Sequence, residues 1–574
     1  MFLPTTQGEI RKLGWDGLDV VLVTGDTYID SPYIGVAVIG KVLSAAGYRV
    51  GVIAQPDTKT GEDITRLGEP RLFWGITAGS VDSMVANYTA LKKRRKSDDF
   101  TPGGENTRRP DRATIAYANL IRRHFKNTRP LVLGGIEASL RRIAHYDYWD
   151  NAVRKSVLFD AKADVLVYGM GEKAIVEVAE GLARGKDIKD VRGICYIAKE
   201  PRDGRLLLPS YEEVKQDKTK FTGMFRLFYV NNDPLTARGL CQQQDARFLI
   251  QNPPAAHPSE KDLDAIHDMP FARDVHPHYK KQGAVRALDT IKFSLTTHRG
   301  CYGECNFCAI AVHQGRTICS RSAGSLLREA AVLAGLPGFK GNIADVGGPT
   351  ANMYGIECDK KLGKGACSNK RCLYPAKCRQ LKVDHTRQRE LLRLLRNAPG
   401  IRKVFIASGI RYDMVLEDAV CGAAYLRDLV EHHVSGQLKI APEHAEDAVL
   451  KRMGKPGRTY VQAFKQAFDG LNKKMGKKQF LTYYLIAAHP GCDEKAMRRL
   501  REFTSRELNI RPEQVQIFTP LPSTYSTLMY YTEKDPFTGE RIFVEKDNGK
   551  KKRQKDLVVA GPPHRGRSVA RVKS

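Results

Sequence analysis

The sequence predicts an α/β protein: an N-terminal doubly wound parallel sheet, then a partial (β/α)6 barrel, then a disordered basic tail. Three observations predict it. Short apolar runs alternate with amphipathic stretches over the first 200 residues, the pattern of strands buried on both faces under covering helices. The alternation resumes after residue 286 and supplies six strand-and-helix units by about residue 535, too few to close an eight-unit barrel. From Lys550 to Ser574, nine Lys/Arg stand against the single acid Asp556 with no hydrophobic period.

Composition bounds the classes. The 574 residues carry 93 Lys+Arg against 64 Asp+Glu, a net +29, with 42% hydrophobic residues, enough for several ordinary cores and against a disordered or fibrous chain. No window approaches the roughly 18 uncharged apolar residues of a membrane helix, and Met1 to Gly17 lacks the apolar core of a signal peptide, so a cytoplasmic location without a membrane partner is expected. Twelve cysteines are too dilute for a disulfide scaffold and read as thiols or metal ligands.

In the first domain, residues 1–200, the strands are Val20–Thr24, Arg49–Ile53, Leu72–Thr77, Leu131–Leu133 and Val165–Tyr168, with a helix over Ile34–Ala46. Glycines at Gly134-Gly135 and Gly169 to Gly171 end two of them, which marks the carboxyl edge of a Rossmann-like sheet. The first crossover, Asp30-Ser31-Pro32-Tyr33-Ile34-Gly35, resembles the Asp-x-His-x-x-Gly motif of cobalamin-binding domains, with Pro32 in the histidine's place. Proline has no lone pair for cobalt, so a histidine-ligated corrinoid is not expected there, and the sheet reads as a Rossmann-like docking domain or, alternatively, as a relic or modified corrinoid domain. Leu91 to Arg112 reads as a long solvated surface loop, and His145-Tyr146-Asp147-Tyr148-Trp149 as a pocket or an interdomain contact. Residues 201–285, with Pro253-Pro254, Pro258 and Pro270, read as an irregular connector.

The barrel spans 286–535. Its strands are Thr290–Thr296, Asn342–Val346, Lys403–Ser408, Gln437–Ile440, Phe480–Ile486 and Val515–Thr519. Its helices lie around Ser325–Leu333, Arg387–Leu395, Ala419–Val430, Tyr460–Leu471 and Glu494–Arg506. The first strand runs into Cys301-Tyr302-Gly303-Glu304-Cys305-Asn306-Phe307-Cys308, a Cys-x3-Cys-x2-Cys loop. Three thiolates can hold three irons of a [4Fe-4S] cube and leave the fourth open, whereas a zinc site normally closes with four protein ligands. A Cys-rich insertion, 355–380, adds Cys358, Cys367, Cys372 and Cys378 in a cationic setting, readable as zinc ligands, an auxiliary cluster or unligated thiols.

The three-cysteine loop after a strand resembles the signature of the radical S-adenosylmethionine superfamily. A narrower resemblance, to the YgiQ family of radical SAM proteins (UPF0313), rests on Asp26 to Pro32, Gly134 to Ser139, His145 to Trp149, the cysteine loop, Asp345 to Tyr354 and Thr519 to Thr524, and covers about residue 14 to about 535. The resemblance implies a [4Fe-4S] cluster on Cys301, Cys305 and Cys308, S-adenosylmethionine on its open iron, and a 5'-deoxyadenosyl radical that abstracts hydrogen from an unassigned substrate. It also implies a flavodoxin- or ferredoxin-type electron donor. Cosubstrate contacts carried over by position are Gly347, Gly348, Thr350, Ser408, Arg411 and Glu443, with Pro349 replacing the usual glutamate of a Gly-Gly-Glu stretch and Arg411 placed to pair bidentately with the cosubstrate carboxylate. The net charge makes RNA a candidate substrate. An iron-sulfur redox sensor that binds nucleic acid without turnover is the alternative, and a zinc-stabilised binding protein a further one. Residues 536–574 complete the chain as a basic extension with a disordered tail.

Overall fold

The structure is a computed structural model that describes residues 1–368 and 370–559; the expected tail from residue 560 onward lies outside them. Five strands lie parallel: β1 (Val20–Thr24), β2 (Val50–Ala54), β3 (Phe73–Thr77), β4 (Leu131–Gly134) and β5 (Val165–Val167), ordered β2-β1-β3-β4-β5. Each lies within about one residue of its sequence reading, because these strands are buried almost throughout and read as continuous apolar runs. Separate apolar cores cover the two faces.

The connector reading is corrected. β6 (Ile194–Ala198) runs antiparallel to β5, and β7 (Leu206–Leu208), β8 (Leu240–Gln244) and β9 (Arg247–Gln251) extend the sheet to nine strands in the order β5-β6-β9-β8-β7. Buried glutamines hide these strands from a hydrophobicity reading. Gln242 accepts the Ala144 N–H at 3.0 Å, Gln244 that of Ser156 at 2.9 Å, and Gln251 the Arg142 Nε–H at 3.1 Å. Loop 91–112 is likewise pinned rather than wholly solvated: Arg109 is fully buried, 2.7 Å from Asp26 and 3.0 Å from Asp98.

The barrel strands are β10 (Ser294–Thr296), β11 (Asp345–Gly347), β12 (Lys403–Val404), β13 (Gln437–Glu443), β14 (Phe480–Ala487) and β15 (Gln516–Ile517). All their pairings are parallel: β10 with β11, Asn342–Ile343 with β12, Ile410 with Ile440, then β13-β14-β15. Helices stand at the expected places, and one core fills the space between them and the strands. The strand read over Thr290–Thr296 is shorter, since Arg286–Ile291 is helix.

The expected disordered stretch after Lys550 is also corrected as far as Val559. Asn548–Asp556 is a helix capped by Asp547, and its residues Lys551 and Gln554 are buried. Lys551 Nζ donates to the hydroxyls of Tyr148 at 3.1 Å and Tyr530 at 3.0 Å, while Gln554 accepts the Ala488 N–H at 3.0 Å and donates to the Cys492 carbonyl at 3.2 Å. A run of lysines masked this helix because only two of its residues face inward. The aromatic segment at 145–149 is therefore an interdomain contact: Tyr146 stacks on Tyr531 at 4.8 Å and Tyr148 meets Tyr530 edge-on at 5.6 Å. No helix among the described residues is long and apolar enough to cross a membrane.

Candidate metal centre and adjoining cavity

The cysteine loop is closed at its base by an antiparallel pair, His298–Arg299 with Cys319–Ser320. Gly300 follows at φ +83°, where a Cβ would stand 2.0 Å from the Thr317 carbonyl oxygen, so only glycine fits. Glu304 anchors the loop's middle, with Lys361 Nζ at 3.5 Å and Arg316 at 3.8 Å from its carboxylate and Arg371 donating to its carbonyl at 3.0 Å. Asn306 donates from its backbone to Met453 O and from its side chain to Arg452 O, both at 2.8 Å, and accepts the Ser526 N–H at 2.8 Å. The loop is thus held from three separate segments of the barrel domain.

Its sulfurs converge. A Cβ on Gly303 would lie 3.2 Å from Cys301 Sγ and 3.6 Å from Cys305 Sγ, so the two sulfurs flank this glycine, whose N–H donates to Cys301 at 3.3 Å. Burial, then the neighbouring Cys305 and Cys301, push the Cys308 thiol up to about 12, and burial followed by Cys305 raises Cys301. A zinc ion in a thiolate tetrahedron with bonds of about 2.3 Å needs sulfurs about 3.8 Å apart. Among the described residues, three donors within 4.8 Å of one another occur only at Asp384, Asp418 and Cys421. The three sulfurs are therefore spread more widely than one ion needs, which suits a cube whose corners each take one thiolate.

The candidate cosubstrate residues divide into two groups. Gly347, Gly348 and Ser408 line a cavity of about 460 Å³ between the barrel and the carboxyl edge of the N-terminal sheet. Thr350, Arg411 and Glu443 crowd the sulfurs instead: Thr350 Oγ1 is 3.7 Å from Cys301 Sγ, Arg411 Nη1 is 3.8 Å from Cys305 Sγ, and Glu443 lies close enough to Cys308 to raise its thiol. The carboxylate-pairing expectation for Arg411 is corrected, since its bidentate edge is occupied by Asp413, Nε donating to Oδ1 at 2.7 Å and Nη2 to Oδ2. Ser408 donates to Asp345, whose other oxygen takes the backbone N–H groups of Ala407 and Ser408 at 2.8 and 2.9 Å. Glu443 sits at φ +70°, a strained position for a residue with a Cβ, with Lys455 at 3.8 Å and its carboxyl raised by burial.

Three residues escaped the sequence reading. His298, 1% exposed, presses its ring against Gly348, bonds Thr297 Oγ1 through Nδ1 at 2.8 Å, and has no partner for Nε2; burial lowers it to about 3. His313, on the short helix after the cysteine loop, lines the same cavity and bonds Ser139 across the domain interface at 3.1 Å. Asn352 holds Arg411 by both backbone groups, accepting its N–H at 2.7 Å and donating to its carbonyl at 3.0 Å, and continues through His385 Nε2 at 3.1 Å to Asp418 on Nδ1 at 2.7 Å. His298 was legible three residues ahead of Cys301; the Asn352 chain spans three segments and carries no local signal.

In the second group, Cys358 and Cys372 are buried and Cys378 packs on the same small apolar cluster as Cys301, Tyr302 and Met353; Cys367 stands outside it. Pro32 lines the cavity too, and offers cobalt no ligand.

The Radical SAM N-terminal family matches residues 2–294. The UPF0313 protein FN0734 of Fusobacterium nucleatum subsp. nucleatum is 61% identical over 559 residues, 97% of this chain and 98% of the relative, and a UPF0313 protein of Thermotoga neapolitana is 50% identical over 562 residues, 97% and 98%. Among solved structures, the radical S-adenosylmethionine methyltransferase TsrM of Kitasatospora setae, with cobalamin and a [4Fe-4S] cluster bound, is similar in fold, with a TM-score of 0.51 and 15% identity over 88% of this chain and 76% of that one.

Proposed function

The chain belongs to the UPF0313 family, within the radical SAM superfamily, and from that footing we propose that Cys301, Cys305 and Cys308 hold a [4Fe-4S] cluster whose open iron takes S-adenosylmethionine. Bound together, these groups would supply one-electron cleavage to a 5'-deoxyadenosyl radical that draws hydrogen from a substrate. The residues of the chain do the rest. Gly347 and Gly348 leave room for a ligand to lie on the backbone, Ser408 is held ready by Asp345, and Arg411 places positive charge on the Cys305 sulfur. The sheet of the first domain faces the mouth of the barrel across the cavity and narrows the access of water to it, tied across by Arg299 with Glu172 and by Ser523 donating to the Leu140 carbonyl at 2.7 Å.

One observation favours this reading over a redox sensor without turnover: the cavity of about 460 Å³ beside the cysteine loop, which a sensor does not require. Its walls are mostly apolar and its Arg299 is paired with Glu172, which supports a small, largely apolar reacting group there. RNA as the molecule carrying that group is supported elsewhere, by exposed basic residues 92–96 lying beside the basic helix 548–556, where Asn548 Nδ2 reaches the Leu91 carbonyl. Cys358, Cys372 and Cys378, gathered on one small apolar cluster, are candidates for a second metal site, zinc or an auxiliary cluster. Position 32 offers no side-chain bond to the cobalt of a corrinoid.

The test is anaerobic reconstitution with iron and sulfide, then reductant, S-adenosylmethionine, chromatography for 5'-deoxyadenosine and metal analysis. Product with about four irons, or about eight with an auxiliary cluster, supports the proposal. Zinc alone, with no iron taken up, sinks it.

A further inference from the structure

We propose that the basic face of residues 358–368 and 370–382 is the docking surface for a small acidic one-electron carrier protein, which reduces the cluster through this loop; the proposal rests on the reading of Cys301, Cys305 and Cys308 as cluster ligands. From Cys358 to Lys382 the chain carries eight Lys/Arg against one acid, Asp359, a net +7. Lys360, Lys364, Lys370 and Arg379 are exposed, and among the described residues none of them lies within 4.0 Å of a carboxylate. Elsewhere surface lysines and arginines often pair, as Lys465 does with Asp469 and Arg393 with Glu390. An unpaired concentration of one sign is a steering field.

Its position gives the field a purpose. The segment lies directly over the cysteine loop: Lys361 Nζ reaches Glu304 at 3.5 Å and sits 5.1 Å from the Tyr302 ring centre, Arg371 donates to the Glu304 carbonyl, and Cys358, Cys372 and Cys378 share an apolar cluster with Cys301 and Tyr302. Electron tunnelling falls steeply with distance, so a donor must seat where the cover over the cluster is thin. Here it is one loop thick. On the other side a cavity and then the N-terminal sheet intervene, which lengthens the path from any donor docked there. The step balances simply. The reduced carrier loses one electron, the cluster gains it, and no bond is made or broken.

The experiment uses the full reconstituted chain, with Lys360→Glu, Lys364→Glu, Lys370→Glu and Arg379→Glu combined, and a charge-matched control with Lys550→Glu, Lys552→Glu, Arg553→Glu and Lys555→Glu on helix 548–556. Stopped-flow bleaching of the cluster is followed with reduced flavodoxin as the protein donor and with reduced methyl viologen as a small cationic one. At low ionic strength the loop variant should be reduced by flavodoxin at least tenfold more slowly than the wild type, within the 10- to 10³-fold range of electrostatic steering, with no slowing by viologen. The deficit should close near 1 M salt, where the screening length is about 3 Å. Equal slowing of both charge-reversal variants means that only overall charge matters and overturns the docking site, as does an unchanged flavodoxin rate. A wild type that takes up no reducible cluster, seen directly with viologen, overturns the underlying cluster reading and the docking site with it.

Discussion

Gly348 offers a quantitative check on the proposed cosubstrate site. A Cβ added there would meet three atoms of one ring, His298 Cε1 at 2.7 Å, Nε2 at 2.8 Å and Nδ1 at 2.9 Å, where ordinary contact begins at 3.4 Å. The ring cannot swing away freely, since it is buried and Nδ1 is bonded to Thr297. Gly348→Ala must therefore shift the ring or the Gly347 to Pro349 backbone by the difference, 3.4 Å less 2.7 Å, or about 0.7 Å. Displacements near 1 Å in a reacting geometry cost on the order of 10²-fold, about 2.7 kcal/mol. We expect 5'-deoxyadenosine formation to fall about that much, with iron content unchanged. The clash is pairwise, so on a His298→Ala background the same substitution should cost less than about threefold. A Gly348→Ala protein within threefold of wild type, or one equally impaired with and without the His298 ring, would refute the placement.

Cys305→Ala should abolish iron-dependent cosubstrate cleavage while circular dichroism and the melting temperature stay near wild type; a variant that keeps full cleavage would remove Cys305 from the ligand set. Asn352→Leu should loosen Arg411 from the Cys305 sulfur and move the cluster midpoint potential to more negative values, because a positive charge near a cluster favours its reduced state; redox titration with an unchanged potential would show that Asn352 does not position Arg411. Burial, aided by Lys92, pushes the Lys551 ammonium from 10.5 down to about 8, so the folded state binds fewer protons than the unfolded one between these values. The stability this side chain contributes is present above pH 10.5 and is lost as pH falls through about 8. Melting curves should accordingly show wild type gaining on Lys551→Met from pH 8 to 10.5; a pH-independent difference would mean Lys551 stays charged.

How much of this was legible depends on whether the signal is local. β1 to β5 announce themselves because both faces of each strand are buried, and the cysteine loop because three cysteines fall within eight consecutive residues. β8 and β9 were invisible because their burial is polar: Gln242, Gln244 and Gln251 satisfy distant backbone and side-chain groups that no window contains. The charged helix 548–556 read as tail because two inward residues make no hydrophobic period. Position alone points Arg411 at a ligand carboxylate, whereas Asp413, two residues on, holds its guanidinium, a pairing that strand-end position does not reveal.

Lys551 and Gln554 fasten the first domain to the far side of the barrel, and this has a consequence for biogenesis. In the chain, 243 residues separate Cys308 from Lys551. At about 5–20 residues per second, a ribosome needs roughly 12–50 s to cover that span. Throughout that interval the thiols have been synthesised while the clasp that shuts the two domains has not. Iron and sulfide delivered during translation for the proposed cluster would meet the cleft before the clasp has formed, whereas reconstitution of the finished protein must reach the cysteine loop with the clasp in place.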